Sequence, residues 1–218
     1  MSTKLNEIHD YLRKIGTPNE EILEMDKTTF TLAKEIAQFA HRIQERDNGE
    51  PYFNHPMRLV SKFEKILGED VLGRVDENAL SYLKIPYKGV KEVCLLHDVI
   101  EDTELKFDDL EQIFAECGFG DYYSKYIKIP LKYITHIKSE DYEIYVMNTL
   151  QNSTASMVKM LDIEDNLALL DLTKFKDSEF KRANTYLKCF KYINDRYNFI
   201  ENCTKYRRMM KKLAKVEY

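Results

Sequence analysis

Residues 90–103 read VKEVCLLHDVIEDT, and this stretch indicates both a helical core and a functional site. Its first part, Val90 to Ile100, is apolar on nearly all sides, which predicts a helix buried at the centre of the fold. Five polar residues come at its end, and four of them, His97, Asp98, Glu101 and Asp102, are acidic or imidazole groups. Burying acidic and imidazole groups together is costly unless a partner neutralises them. A divalent cation is the simplest partner, because it neutralises carboxylates and accepts a neutral imidazole.

The spacing within this stretch favours one shared binding face. His97 and Asp98 lie about 100° apart on a helix, so both side chains can reach an ion beside it. Glu101 and Asp102 follow one helical turn later. If the helix persists, we expect all of these side chains on the same face.

The rest of the sequence is helical in pattern and poor in turn residues. Gly (7) and Pro (5) are scarce among 218 residues, which argues against a β sandwich and for long helices with short loops. Apolar spacing predicts helices over about 5–15, 28–43, 56–67, 90–100, 108–117, 122–137, 142–150, 155–170, 180–194 and 199–216. We expect a loop over 72–89, with room for a short helix. The sequence therefore predicts an all-α fold in a single domain over 1–218.

Composition and charge exclude several classes of protein. The net charge of −4 provides no basic field that would attract nucleic acid. No apolar run approaches the roughly 18 residues that span a membrane, and the N-terminus has no apolar signal-peptide core. The widely spaced cysteines are typical of reduced thiols, and they are Cys94, Cys117, Cys189 and Cys203. We therefore expect a cytoplasmic protein with no membrane or nucleic-acid partner.

Two further segments can complete a metal site. In residues 52–56, YFNHP, the imidazole of His55 projects from the start of a helix that begins at Pro56. In residues 158–167, VKMLDIEDNL, Asp162 and Asn166 are one turn apart on a helix face. Taken alone, His55 is interpreted as a helix cap and Asp162 as a cap or a solvated side chain. The apolar surroundings of both polar segments favour a functional role, because isolated charges are rare there.

Three segments together carry a family resemblance. Residues 40–56 read AHRIQERDNGEPYFNHP, residues 95–103 read LLHDVIEDT, and residues 158–166 read VKMLDIEDN. In order and spacing they resemble the HD-domain metal-dependent phosphohydrolases, and more narrowly the hydrolase domain of the RelA/SpoT alarmone enzymes and its stand-alone small relatives. The resemblance covers about residues 30–170, and residues 171–218 would be a C-terminal helical extension. It implies an HD-type helical bundle.

The resemblance also implies an activity and roles for individual residues. The activity is hydrolysis of a nucleotide, with guanosine 3′,5′-bis(diphosphate) 3′-pyrophosphohydrolase as the best specific match. The implied ligands of a divalent metal, most often Mn²⁺ in the family, are His55, His97, Asp98 and Asp162. Glu101 and Asp102 match the catalytic acidic pair, in which one member activates the attacking water and the other assists the leaving group. The implied substrate-binding residues are Arg46, Tyr52 and Asn166.

Several positions depart from the family pattern. Asp47 replaces a lysine, and Ile43 replaces a glycine. Positions 163 and 168, which are usually basic, hold Ile and Ala, and Glu164 and Asp165 add negative charge instead. These changes predict a less positive pocket, which weakens the case for a substrate as anionic as (p)ppGpp. His41 matches the first family His and is interpreted as structural, and His9 and His136 have no place in the pattern.

The sequence leaves several other functions open. One is hydrolysis of another phosphate, such as a nucleoside monophosphate, a dinucleotide or NADPH. Another is a catalytically silent domain that binds a nucleotide as a regulator. The basic stretch 205–215 is interpreted as a solvated helix face rather than as a contact with RNA, a membrane or an acidic partner. A homo-oligomer is also open, and an alarmone synthetase activity is not expected because few residues follow position 170.

Overall fold

The computed structural model describes residues 3–18, 20, 22, 27–68, 75–169 and 176–216. Helices make up most of these ranges. No β-sheet occurs within them, and their extended pairing is an isolated antiparallel bridge between Glu45 and Pro51. The all-α prediction is therefore confirmed. Within the same ranges, no helix is both long enough and apolar enough to cross a membrane.

The helices follow one another with short connections. They are α1 (Thr3–Lys14), α2 (Thr29–Ala40), α3 (Asn54–Leu67), α4 (Glu77–Tyr82), α5 (Val90–Leu96), α6 (Val99–Asp102), α7 (Phe107–Glu116), α8 (Gly120–Tyr122), α9 (Lys128–Ile134), α10 (Tyr142–Thr149), α11 (Ser153–Ala168), α12 (Asp177–Tyr197) and α13 (Phe199–Val216). A π-helical stretch, Tyr123–Ile127, joins α8 to α9.

Local sequence explains where several helices begin and end. The side chain of Thr28 accepts a hydrogen bond from the Thr31 N–H and caps α2, and Asn152 caps α11 in the same way. Asp141 caps α10. Helix α3 ends at Gly68, whose φ of +72° is a left-handed conformation that glycine adopts without strain.

Helix α5 lies at the centre of the molecule. It packs against α2, α3 and α11, and its side chains Val93, Cys94, Leu95 and Leu96 are fully buried. Its start is constrained by Gly89, which has a φ of +78°. A Cβ atom at that position would lie 2.3 Å from the backbone oxygen of Tyr126, so only glycine fits there.

The central helix is shorter than the sequence predicts. The expected helix over 90–100 ends at Leu96, and the chain makes a turn before α6 begins at Val99. His97 and Asp98 therefore occupy a turn between two helices. The prediction of one continuous helix with four polar groups on one face is therefore wrong. It was misled by Val99 and Ile100, which continue the apolar helical pattern beyond the point where the helix ends.

Other boundaries differ in smaller ways. The helix predicted over 122–137 is divided by the π-helical stretch and ends at Ile134. Helix α4 is the short helix for which the sequence left room within 72–89, of which residues 72–74 lie outside the described residues. Helix α12 exceeds the predicted 180–194 at both ends, since Glu179 caps its start and Asn198, with a φ of +53°, ends it.

The C-terminal helix separates an apolar face from a basic one. Helix α13 packs against α3, and it buries Phe199, Cys203, Tyr206 and Met210. The cations of its other face are exposed, and they are Lys205, Arg207, Arg208, Lys211 and Lys212. This arrangement agrees with the interpretation of the basic stretch as a solvated face. Within the described residues no disulfide joins Cys94, Cys117, Cys189 and Cys203.

Candidate active site

The side chains predicted as metal ligands converge from α3, from the turn between α5 and α6, and from α11. His55 Nε2 lies 3.2 Å from Asp162 Oδ1 and 3.9 Å from Asp98 Oδ2. His97 Nε2 lies 3.0 Å from Asp98 Oδ2 and 3.9 Å from Asp162 Oδ1. Two imidazoles and two carboxylates thus point at one small volume inside the helical core.

The hydrogen bonds of the two imidazoles prepare them to act as ligands. His97 Nδ1 donates to the Cys94 carbonyl over 2.9 Å, and His55 Nδ1 donates to Asp165 Oδ2 over 2.8 Å. In its neutral form each imidazole has its one N–H on Nδ1, so both Nε2 atoms then present lone pairs to the cluster. The buried Nε2 of His97 makes no hydrogen bond of regular geometry among the described residues, although Asp98 Oδ2 lies 3.0 Å away. Ligand atoms of His55, His97 and Asp98 lie within 4.8 Å of one another, and a divalent cation fits this group of donors.

Electrostatics keep both carboxylates of the cluster ionised. Burial by itself would raise the pKa of Asp162, but Lys159 and the two imidazoles hold it well below its usual range. His97 lowers the pKa of Asp98 in the same way, against the effect of burial. Burial would lower the pKa of His97, yet Asp98 and Asp162 raise it to about 10. The two ionised carboxylates therefore give the cluster a negative charge, which a proton or a metal ion can balance.

A tight turn places Tyr52 above the cluster. The Tyr52 N–H donates to the Gln44 carbonyl over 2.9 Å, and Gly49, with a φ of +82°, lets the chain reverse between them. The Tyr52 hydroxyl donates to Asp98 Oδ2 over 2.6 Å. Burial and the neighbouring Asp98 raise the pKa of Tyr52, so the hydroxyl stays protonated and orients that carboxylate.

The other predicted substrate-binding residues lie beside the same cluster. Arg46 donates to Asn166 Oδ1 over 2.7 Å, and Asn166 Nδ2 donates to Asp162 Oδ1 over 2.6 Å. The Arg46 guanidinium also lies 5.8 Å from the centre of the Tyr52 ring. The structure thus brings Arg46, Tyr52 and Asn166 together around the candidate ligands.

Glu101 and Asp102 face different walls of the site. Glu101 lines the cavity next to the ligand cluster, where its Oε2 accepts a hydrogen bond from the His136 N–H over 3.1 Å. Asp102 lines a neighbouring pocket with Gln44, and Tyr52 borders both spaces. Burial, then Asp98 and Glu101, raise the pKa of Asp102 to about 6. The two adjacent carboxylates therefore have different surroundings.

The cavity beside the ligand cluster has a volume of about 180 Å³. Its lining residues are Tyr52, His55, Asp98, Glu101, His136, Tyr142, Tyr145, Lys159, Asp162, Asn166 and Tyr186. Five of these were not singled out from the sequence, namely His136, Tyr142, Tyr145, Lys159 and Tyr186. Lys159 could have been found, because it precedes Asp162 by three residues on one helix. Tyr186 comes from the C-terminal extension and carries no signal in the sequence.

Lys159 supplies a buried positive charge. Its Nζ donates to Asp162 Oδ2 over 2.9 Å and lies 5.2 Å and 5.0 Å from the ring centres of Tyr142 and Tyr145. Burial by itself would lower its pKa, but Asp162 and the two tyrosines raise it well above the usual value. Lys159 thus remains a cation at the cavity wall and leaves Asp162 Oδ1 to face the cluster.

Asp165 does not add negative charge to the cavity, which corrects the expectation from the sequence. It is buried, and Arg58 donates to its Oδ2 over 3.0 Å. Lys62 lies 3.6 Å from its other oxygen, and His55 is its third partner. These contacts balance the negative charge of the Asp165 carboxylate. They also hold its pKa below the usual range, although burial by itself would raise it. Its position orients His55 from behind.

His41 lies against Tyr52, and the ring centres are 4.7 Å apart. Its Nδ1 is 2.6 Å from Gln44 Oε1, and burial lowers its pKa. A neutral, buried ring beneath the Tyr52 turn agrees with its interpretation as a structural His.

No family model matches the chain. The bifunctional (p)ppGpp synthase/hydrolase SpoT of Escherichia coli strain K12 is 30% identical over 139 residues, which is 62% of this chain and 17% of SpoT. The guanosine-3′,5′-bis(diphosphate) 3′-pyrophosphohydrolase MESH1 of Drosophila melanogaster is 28% identical over 170 residues, covering 74% of this chain and 80% of MESH1.

The fold is also seen in a solved structure. It is described as a metazoan ortholog of SpoT that hydrolyzes ppGpp and plays a role in starvation responses. It aligns with a TM-score of 0.53 and 24% identity over 84% of this chain and 96% of that one. This chain resembles the (p)ppGpp hydrolases. The resemblance inferred from the three sequence segments is therefore confirmed, while the chain spans only 17% of the length of SpoT.

Proposed function

We propose that this protein is a metal-dependent nucleotide phosphohydrolase that removes the 3′-pyrophosphate of (p)ppGpp. The observation that carries the proposal is the convergence of His55, His97, Asp98 and Asp162 on one volume beside Glu101. The similarity to SpoT and MESH1 supports the same reaction. The donor set thus supports metal-dependent hydrolysis, and the similarity to the relatives supports the substrate.

The four converging side chains would hold a divalent metal, and we expect Mn²⁺. A mixed set of imidazole nitrogens and carboxylate oxygens is compatible with that ion. When bound, the ion would polarise a phosphoryl oxygen and ease deprotonation of the attacking water. Tyr52 and Lys159 each hold one carboxylate oxygen of a ligand, which fixes the orientation of Asp98 and Asp162.

The two acidic residues would divide the proton transfers. The oxygen of a water forms a bond to the phosphorus of the 3′-diphosphate, and Glu101 takes a proton from that water. The bond from phosphorus to the ribose 3′ oxygen breaks, and Asp102 supplies the proton that this oxygen needs. With a pKa raised to about 6, Asp102 is a better proton donor near neutral pH than an ordinary carboxyl group.

The positive charge around the cavity supports an anionic substrate. Arg46 reaches the site through Asn166, and Lys159 is a buried cation at the wall. Asp165 is neutralised by Arg58 and Lys62 and so does not repel a phosphate. The departure at Asp47 remains, and it lies at an exposed position.

The test is product release from a nucleotide panel with Mn²⁺ present, together with the metal content of the purified protein. We expect pyrophosphate from ppGpp and pppGpp, and no release from the variant H97A/D98A. Release of phosphate from a nucleoside monophosphate, a dinucleotide or NADPH, with none from (p)ppGpp, would replace the substrate but keep the chemistry. Nucleotide binding without any turnover would favour the regulatory alternative.

A further inference from the structure

His136 lies at the cavity wall beside Glu101, although the sequence pattern assigned it no role. It follows the end of α9, and its side chain is 21% exposed. Its backbone N–H donates to Glu101 Oε2 over 3.1 Å. This bond places one carboxylate oxygen of Glu101 against the chain and leaves Oε1 available to other partners.

The imidazole of His136 is held in one orientation. Its Nε2 donates to the Glu140 carbonyl over 2.9 Å. The ring lies tilted against Tyr145, with 4.6 Å between ring centres, and Tyr142 approaches it edge-on at 6.2 Å. With this N–H as the only one on the ring, Nδ1 is a hydrogen-bond acceptor.

Nδ1 of His136 lies 4.0 Å from Glu101 Oε1. Two acceptors cannot bond each other, but this separation suits one water that donates a hydrogen bond to each of them. A water held in that way has its lone pairs directed away from both acceptors, as a nucleophile requires. The pair is rigid, since a backbone N–H fixes Glu101 and a carbonyl fixes His136.

We propose that His136 and Glu101 together bind and orient the attacking water, an inference that rests on the proposed function. As the water oxygen bonds to phosphorus and the bond to the leaving oxygen breaks, one water proton moves to Glu101 Oε1. The other proton stays donated to His136 Nδ1. His136 is then a positioning residue for the nucleophile.

The kinetic test compares H136F with H136N. Phenylalanine keeps the ring packing against Tyr145 and removes Nδ1, whereas asparagine returns a polar atom close to the Nδ1 position. Both variants lose the bond to Glu140, so their difference reports on Nδ1. We expect H136F to lower kcat by about 10- to 100-fold with little change in KM, and H136N to restore most of kcat. Unchanged kcat in H136F, or equal losses in both variants, would overturn the proposal.

The matched control is N148A. Asn148 donates to the Glu140 side chain over 2.7 Å, so N148A disturbs the same loop without touching the cavity. We expect its kcat and KM to equal those of the wild type. A loss in N148A as large as that in H136F would show that loop structure, and not Nδ1, is responsible, and it would overturn the inference.

A spectroscopic test separates this inference from the proposed function. We expect E101Q to shift the ¹⁵N resonance of His136 Nδ1 in the metal-free protein, while N148A leaves it in place. No shift in E101Q would refute the pairing whether or not the wild type is active. If the wild type hydrolyses nothing in the panel although the shift is seen, the proposed function and the catalytic part of this inference fail while the pairing stands.

Discussion

At the scale of single residues, the orientation of His55 is set by residues on the side of its ring that faces away from the cluster. Asp165 accepts the Nδ1 proton of His55, and Arg58 holds Asp165 through bonds of about 3 Å. This arrangement fixes the tautomer and ring plane of a candidate ligand before any ion arrives. A carboxylate behind a ligating imidazole also increases its basicity.

The first prediction concerns Asp165. We expect D165N to weaken Mn²⁺ binding by about 10- to 100-fold, because the amide lacks the charge that supports His55. Titration of the metal-free protein by calorimetry measures this. The control is E164Q, since Glu164 is an exposed neighbour that contacts Lys62 at 3.2 Å, and it should bind Mn²⁺ like the wild type. Equal affinities in D165N and the wild type would contradict the prediction.

The second prediction concerns the pH dependence that Asp102 imposes. Its pKa is raised to about 6, so the carboxyl group is protonated below that pH and loses its proton above it. If Asp102 donates the proton to the leaving oxygen, kcat should fall as the pH rises through about 6. D102N, which cannot donate in this way, should have a low kcat without this falling limb. A profile for D102N with the same limb as the wild type would rule Asp102 out as its source.

At the scale of elements, the start of α5 sets the position of the whole site. Gly89 lies against the backbone of Tyr126, in the π-helical stretch, so the central helix and that stretch are in direct backbone contact. The turn that carries His97 and Asp98 follows one short helix later. A shift at Gly89 would therefore move two candidate ligands.

The third prediction is that G89A destabilises the protein more than G118A does. Both glycines have a positive φ, and an alanine in that conformation costs about 1–2 kcal/mol. At Gly118 an added Cβ meets nothing within 4 Å, whereas at Gly89 it meets a backbone oxygen at 2.3 Å. Urea unfolding should show a larger loss in the free energy of unfolding for G89A, by at least about 1 kcal/mol beyond G118A. Equal losses would contradict the close contact.

Much at this scale could be predicted from the sequence, and the exceptions have physical reasons. The bounds of α13 follow from its apolar spacing and agree with the prediction of 199–216. The break after Leu96 could not be predicted, because apolar residues at 99 and 100 continue the helical pattern. The convergence of His55, His97, Asp98 and Asp162 followed from the family pattern. Tyr186 and His136 could not be found, since their place at the cavity depends on how α12 and the loop after α9 pack.

At the scale of the whole molecule, the ligand cluster connects three distant parts of the chain. His55 lies in the first turn of α3, His97 and Asp98 follow α5, and Asp162 lies in α11. An ion held by all of them would act as a cross-link within the core. Because the unfolded chain lacks this arrangement, binding energy adds to folding stability.

The fourth prediction follows from this cross-link. At a free Mn²⁺ concentration 100 times the dissociation constant, binding adds about 2.7 kcal/mol to the free energy of unfolding. For a protein of this size that corresponds to a rise of about 5–10 °C in Tm. Calorimetric scans with and without EDTA measure it. H97A should show the same Tm in both conditions. If Mn²⁺ does not change the Tm of the wild type, the prediction is contradicted.

The floor of the cavity, formed by the candidate metal ligands, and its wall at Tyr186 come from different parts of the chain. The candidate ligands lie on α3, on the turn after α5 and on α11, whereas Tyr186 lies on α12, which packs against α11 and α10. We propose on this ground that residues 171–218 belong to the same domain as the motif segments. Exchange of α12 could then alter which nucleotide is accepted while leaving the ion-binding floor intact. Substrate preference in this scaffold could diverge through a helix that carries none of the candidate metal ligands.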